Sequence, residues 1–188
     1  MKILVATILG CALLGMAQAR DSADRMTPDM QTVLAAQKRV IAGWAENPVI
    51  VAAVEKQNAQ GPIPGMTNRA WKRLAADDAL VGSFQSNAAG VWLAKKIAGS
   101  GGMYREAFLS AAQGEKAAFV AKPTSYLHKG EPKFDVPMSG KSWQGNPEFD
   151  KSSKSYSIQI AVPVMSGGRP IGVLVVGVSM KTLGAMAK

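Results

Sequence analysis

One histidine, His128, and a scatter of aromatics, carboxylates and amides around it are the residues of this chain best placed to do chemistry. A single histidine supports no zinc site, which needs three or four ligands, and no Ser-His-Asp arrangement is readable from the spacing. No C-x-x-C-H segment is present to attach haem. The chemistry that remains is recognition, and it concentrates between residues 122 and 159. Tyr126 offers a ring and one hydroxyl, for a ligand or for a backbone hydrogen bond. Trp143 stands among Lys141, Ser142, Gln144 and Gly145, away from any apolar run, and suits a stacking wall or a loop anchor. Asp150, ahead of Ser152 and Ser153, could pair with a ligand amine or close an Asx-turn. Glu131 and Phe134 lie in the same stretch, with Lys129 and Lys133 as solvated neighbours. Tyr156 and Gln159 fall on opposite faces of the strand that follows: Tyr156 with the apolar side, Gln159 with the polar one.

The elements that must position these groups can be read from periodicity. Thr27 and Pro28 open a helix in which Met30, Val33, Leu34, Val40, Ile41 and Trp44 recur at helical spacing. Pro48 interrupts it near Glu46-Asn47, and a second helical piece runs from about Val49 to Gln57. Gly61-Pro62-Ile63-Pro64-Gly65 is a loop. Further helices are expected over 67–79 and 87–98, with Trp44, Trp71 and Trp92 as core. Short strands are expected over Tyr104–Ala111 and Lys116–Ala121. Residues 122–154 carry no sustained periodicity, and their aromatics mark an ordered binding-type loop rather than a disordered one. Then Ile158, Ile160, Val162 and Val164 alternate with Gln159, Ala161 and Pro163. After the turn at Ser166-Gly167-Gly168-Arg169, Ile171–Val178 is apolar on both faces and reads as a central strand. A short helical tail starts near Met180. Helices followed by an antiparallel meander imply an α+β domain.

At the other end, Lys2, seventeen uncharged residues from Ile3 to Ala19, and Ala17-Gln18-Ala19 before Arg20 match a cleavable secretory signal peptide. Retention as an anchor, or a lipoprotein form using Cys11, are the other readings of that segment. Cleavage makes 1–19 the leader and 20–188 a single domain, periplasmic or secreted, soluble and without a thiol. The net charge of +9 is spread over short groups such as Lys38-Arg39, Lys72-Arg73 and Lys95-Lys96. No run is long enough for a nucleic-acid arm, which leaves solvated faces and a weak preference for anions.

Several local sequences, taken in order, carry a family resemblance. They are Asn47-Pro48-Val49-Ile50-Val51-Ala52-Ala53-Val54 through Gln57-Asn58, Thr124-Ser125-Tyr126 with Lys129-Gly130-Glu131, Glu148-Phe149-Asp150-Lys151-Ser152, and the hairpin Ile158–Val164 with Pro170–Val178. Together they resemble the Cache superfamily, the PAS-like extracytoplasmic sensor domains also called PDC domains. The resemblance covers most of residues 28–183 and is most specific over 122–178. Two positions depart from it: Ser125 stands where the family has Asp, and its acidic pair is reduced to Gly130-Glu131. The resemblance implies a PAS-like antiparallel sheet with a long N-terminal helix. It also implies a non-enzymatic domain that binds a small organic ligand, anionic or amino-acid-like, between the sheet and the loops over it. Here those loops are 122–154, which makes Tyr126, His128, Glu131, Phe134, Trp143, Asp150, Tyr156 and Gln159 the candidate ligand residues. No cofactor is implied. With no membrane helix or output module following, a free-standing periplasmic sensor or accessory protein with a membrane-bound partner is the expectation. A pocketless protein-interaction module is the alternative, and the oligomeric state is left open.

Overall fold

The computed structural model describes residues 25–150 and 155–188, apart from the side chain of Asp150. The expected leader, 1–19, lies outside them. Thr27 Oγ1 accepts from Met30 N and caps α1 (Pro28–Ala45), whose Met30, Leu34, Ile41 and Trp44 form one buried stripe. Pro48 breaks the helix rather than bending it. Asn47 Oδ1 accepts from Val49 N and starts α2 (Pro48–Gln60) afresh, with the proline in the first turn, where its missing N–H costs nothing. The helix expected over 67–79 ends early, and a further helix that the sequence reading did not expect follows it. The chain turns extended at Leu74 after α3 (Asn68–Arg73), and Asp78 caps a new helix, α4 (Ala79–Ser86), by accepting from Leu80 N. Asn87 then caps α5 (Ala88–Ala98).

Strands β1 (Tyr104–Ala111) and β2 (Lys116–Phe119) form a hairpin about Gly114, which sits at φ +90°. A Cβ there would drive into the Lys129 backbone, so glycine is required on two counts. Residues 122–150 are more structured than their composition suggests. They hold a short helix, α6 (Pro132–Met138), and two short strands, β3 (Trp143–Gln144) and β4 (Glu148–Asp150). Four prolines and three glycines hide these pieces, because none is long enough to show a period. The long hairpin follows, β5 (Ser155–Ser166) and β6 (Arg169–Ser179), then α7 (Met180–Met186). Gly167 and Gly168, at φ +56° and +75°, form its two-residue turn, the backbone shape that matches strand twist in a tight hairpin.

All pairings in the sheet are antiparallel, in the order β2-β1-β6-β5-β3, with β4 beside β3 on the outer edge of β5. β6 is central, as its two-sided apolar pattern requires. The molecule is therefore α+β, with long N-terminal helices on an antiparallel sheet. Two apolar cores form, one on each face. Ile158, Ile160, Val162, Val164, Leu174 and Val176 pack with α1, α2, α5 and α7. Phe108, Phe119, Ala161, Val173 and Val175 pack on the other side with Trp71, Val81, Phe84, Tyr126 and Phe134.

Candidate functional site

The sheet face turned away from α1 and α2 carries a row of polar side chains that cross the strands beneath α6. β1 contributes Glu106, Phe108 and Ser110; β2 begins with Lys116; β5 contributes Gln159. The loop after β2 returns along its edge, where Glu115 bridges Leu127 and His128 N donates to Gly114 O at 2.9 Å. That contact drops His128 onto Phe108, ring centroids 5.0 Å apart and nearly parallel.

Lys116 is fully buried, and its amine lies over the same phenylalanine, 4.5 Å from the ring centre. It donates to Ser110 Oγ at 3.1 Å and is hydrogen-bonded to His128 Nδ1. Burial, and then the positive charge of Lys133, hold the Lys116 amine well below the usual lysine range. Burial, with Lys116 and Lys133 next, pushes His128 down to about 3. At neutral pH the imidazole is therefore uncharged, and the amine beside it is strongly biased the same way.

The row continues outward. Glu131 lies 3.9 Å from His128 Nε2 and 3.3 Å from Lys133 Nζ. Lys133 Nζ donates to Gln159 Oε1 at 3.3 Å, and Gln159 Nε2 donates to Glu106 Oε1 at 2.7 Å. The Glu106 side chain runs over Gly177, where any Cβ would meet its Cγ at 2.6 Å. At the inner end, Glu115 is wholly buried. One of its carboxylate oxygens accepts from Gln113 N at 3.1 Å, while the other has no hydrogen-bond partner among the described residues.

Of the residues singled out by sequence, His128, Glu131 and Gln159 join in this row. Phe134, on the inner side of α6, is 3 % exposed and belongs to the core on this face, with half-buried Trp143 packed against that core. The Trp143 indole folds back over Gly145, 2.9 Å from where a Cβ would stand. Tyr126 is fully buried beside Trp71, ring centroids 5.4 Å apart, and its hydroxyl accepts from Ile63 N at 3.0 Å. Burial raises its pKa above the usual tyrosine value. Tyr156 lies apart. It faces the helix side of the sheet, edge-on to Phe149 at 5.1 Å. Asp150 ends β4 opposite Ser155, and its side chain lies outside the described residues.

His128 is 4 % exposed, with its backbone tied to the β1–β2 turn. One expectation is corrected: Lys133 is not simply solvated but bridges Glu131 and Gln159. Sequence reasoning missed Lys116, Ser110, Glu106 and Glu115. Lys116 opens a run of alanines after Gln113-Gly114, where a lysine reads as a solvated strand end. Only the pairing of β1 with β2 and the returning loop reveal it as interior.

No family model matches the chain, and no curated protein matches it. Solved structures do. The sensor domain of the Vibrio cholerae histidine kinase DctB aligns at 17 % identity and TM-score 0.43, over 84 % of this chain and 60 % of that one. The ligand-binding domain of the Pseudomonas aeruginosa amino acid chemoreceptor PctC, in complex with GABA, aligns at 13 % identity and TM-score 0.43, over 93 % and 62 %. That of the Pseudomonas fluorescens chemoreceptor CtaA, in complex with L-alanine, aligns at 19 % and TM-score 0.44, over 93 % and 61 %. The chain thus spans about three fifths of the length of these receptor domains.

Proposed function

We propose that the protein is a non-enzymatic, Cache-type binding domain that takes up a small organic anion on the sheet face beneath α6. The observation that carries this reading is the buried basic pair Lys116 and His128, with Lys133 and the Gln159 amide at the mouth of the same row. A fully buried amine hydrogen-bonded to an imidazole, both held below their ordinary pKa ranges first of all by burial, is the kind of perturbed pair that marks a binding site. A carboxylate placed beside Lys116 favours the ammonium form. Binding then takes up a proton, and affinity falls as pH rises between the free and bound pKa values of the amine. α6, only seven residues long and lacking a side-chain cap bond at Glu131, is the piece that must move to admit a ligand. The ordered motifs shared with the Cache superfamily support the same reading. Export behind the leader 1–19, a periplasmic location and signalling through a membrane-bound partner belong to this proposal.

A thermal-shift screen of carboxylates, amino acids, amines and purines tests it. A ligand at about a hundred times its Kd adds about 2.7 kcal/mol, a rise in Tm of several degrees for a domain this size. Lys116→Met should abolish that rise, and binding in buffers of different ionisation enthalpy should show proton uptake. If no compound stabilises the wild type, the binding idea fails.

One observation favours a second reading, a pocketless interaction module. The face is filled: Tyr126, His128 and Phe134 are each under 5 % exposed. In that case partner capture survives Lys116→Met and Trp143→Ala unchanged.

A further inference from the structure

A separate concavity lies beside β2, where α2 from one face of the sheet and α4 from the other come together, and no residue of the polar row lines it. It is a groove of about 910 Å³ between α2 and α4, with the loop 61–64 forming one end. Its size falls within the range of about 300–1,000 Å³ typical of small-molecule sites. It follows α2 from Pro48 to Gly61, a length of about 20 Å at 1.5 Å per residue. That shape suits an extended chain better than a compact ring system.

The walls are apolar: Val49, Ala52, Ile63, Leu80, Phe84 and Ala88. The polar side chains along the walls are already engaged within the protein. Gln57 Nε2 donates to Gly61 O at 2.7 Å, Ser83 Oγ to Leu80 O at 2.7 Å, and Asn87 Nδ2 to Ala117 O at 2.9 Å. Asn87 Oδ1 accepts from Gly90 N. The prolines at 62 and 64 stiffen the end wall, and Tyr126 holds the Ile63 amide in place. Two lining groups, Lys56 and Gln60, are exposed and carry no hydrogen bond or ion pair to the described residues. Lys56 is the single charged side chain of the lining, and it is positive.

We propose that this groove binds a long-chain carboxylate, its aliphatic chain laid along α2 and its head group at Lys56. The walls offer such a chain an apolar trough in which the Gln57, Ser83 and Asn87 side chains are already hydrogen-bonded. The mouth offers one cation and one amide for the carboxylate. The charge of the lining selects against cationic amphiphiles, and its length selects for an extended tail.

The test is equilibrium titration of residues 20–188 with cis-parinaric acid, a fluorescent long-chain carboxylate, and competition by oleate. Saturable one-to-one binding displaced by oleate is expected. Ala52→Trp and Ser83→Phe fill the groove from opposite walls at exposed positions, and each should weaken binding at least tenfold while far-UV circular dichroism and Tm stay as in the wild type. Lys56→Gln should weaken the acid about two- to fivefold, the effect of one exposed ion pair, and leave the methyl ester unchanged. Non-saturable uptake, or equal binding by both filled variants, overturns the proposal. So does binding only to vesicles of anionic phospholipid, which would make the groove a membrane-facing surface. Loss of self-association in the filled variants with no fatty acid bound would overturn it too, in favour of a second copy of the chain.

Discussion

At the scale of single residues, His128 governs how the molecule should respond to acid. Its pKa is about 3 in the folded state and about 6.5 when unfolded. Between those values the unfolded chain binds the extra proton, so stability is highest above pH 6.5 and falls as the pH drops toward 3. The slope this one group can contribute is at most about 1.4 kcal/mol per pH unit. Lys116, lowered from the lysine range by burial, acts in the same direction at higher pH. Urea unfolding at a series of pH values should therefore show a steep loss of stability between pH 6 and 4. His128→Leu should flatten that loss. An unchanged slope in the variant would mean that the imidazole charges without cost and is not sequestered as described. The sequence offered a lone histidine and no sign of this behaviour, because its burial comes from tertiary packing and the lysines that add to the effect, Lys116 and Lys133, lie 12 and 5 positions away along the chain.

At the scale of elements, legibility followed length. The long hairpin and both N-terminal helices were readable because each repeats its period several times; β1 was found without a slip at either end. α6, β3 and β4 were not readable, since two to seven residues cannot display a period among prolines and glycines. The candidate site suffered most, since it is assembled from β1, β2, β5 and that short helix. The seating of α2 on the sheet also escaped the sequence, although it hangs on Gly172. A Cβ there would meet Val54 Cγ1 at 2.6 Å and the Ser110 carbonyl closer still. Gly172→Ala should destabilise the fold by about 1–3 kcal/mol through overpacking. Combined with Val54→Ala it should cost less than the sum of the two changes. Strict additivity in denaturant melts would show that the helix does not press on the strand at this point.

At the scale of the whole molecule, one sheet serves two cores, each with its own tryptophans. Trp44 and Trp92 meet edge-on at 5.9 Å on the helical side, and Trp71 is buried on the other. A shared sheet implies one cooperative transition. Fluorescence of Trp44→Phe/Trp92→Phe and of Trp71→Phe/Trp143→Phe proteins should therefore melt with the same midpoint as far-UV circular dichroism, once each is compared with its own variant. Separate midpoints would show the two faces coming apart independently. The same arrangement gives the Gly167-Gly168 turn an unusual responsibility. Because side chains alternate across β5, its phase decides which residues see the helices and which see the polar row. One residue inserted between Ile160 and the turn would hand Ile158 and Ile160 to the wrong side and thrust Gln159 among the aliphatics. The bulge between Val164 and Met165 is a ready place to absorb such a slip. The hairpin is thus the molecule's parity check, in which a change of one residue exchanges inside for outside on both faces at once.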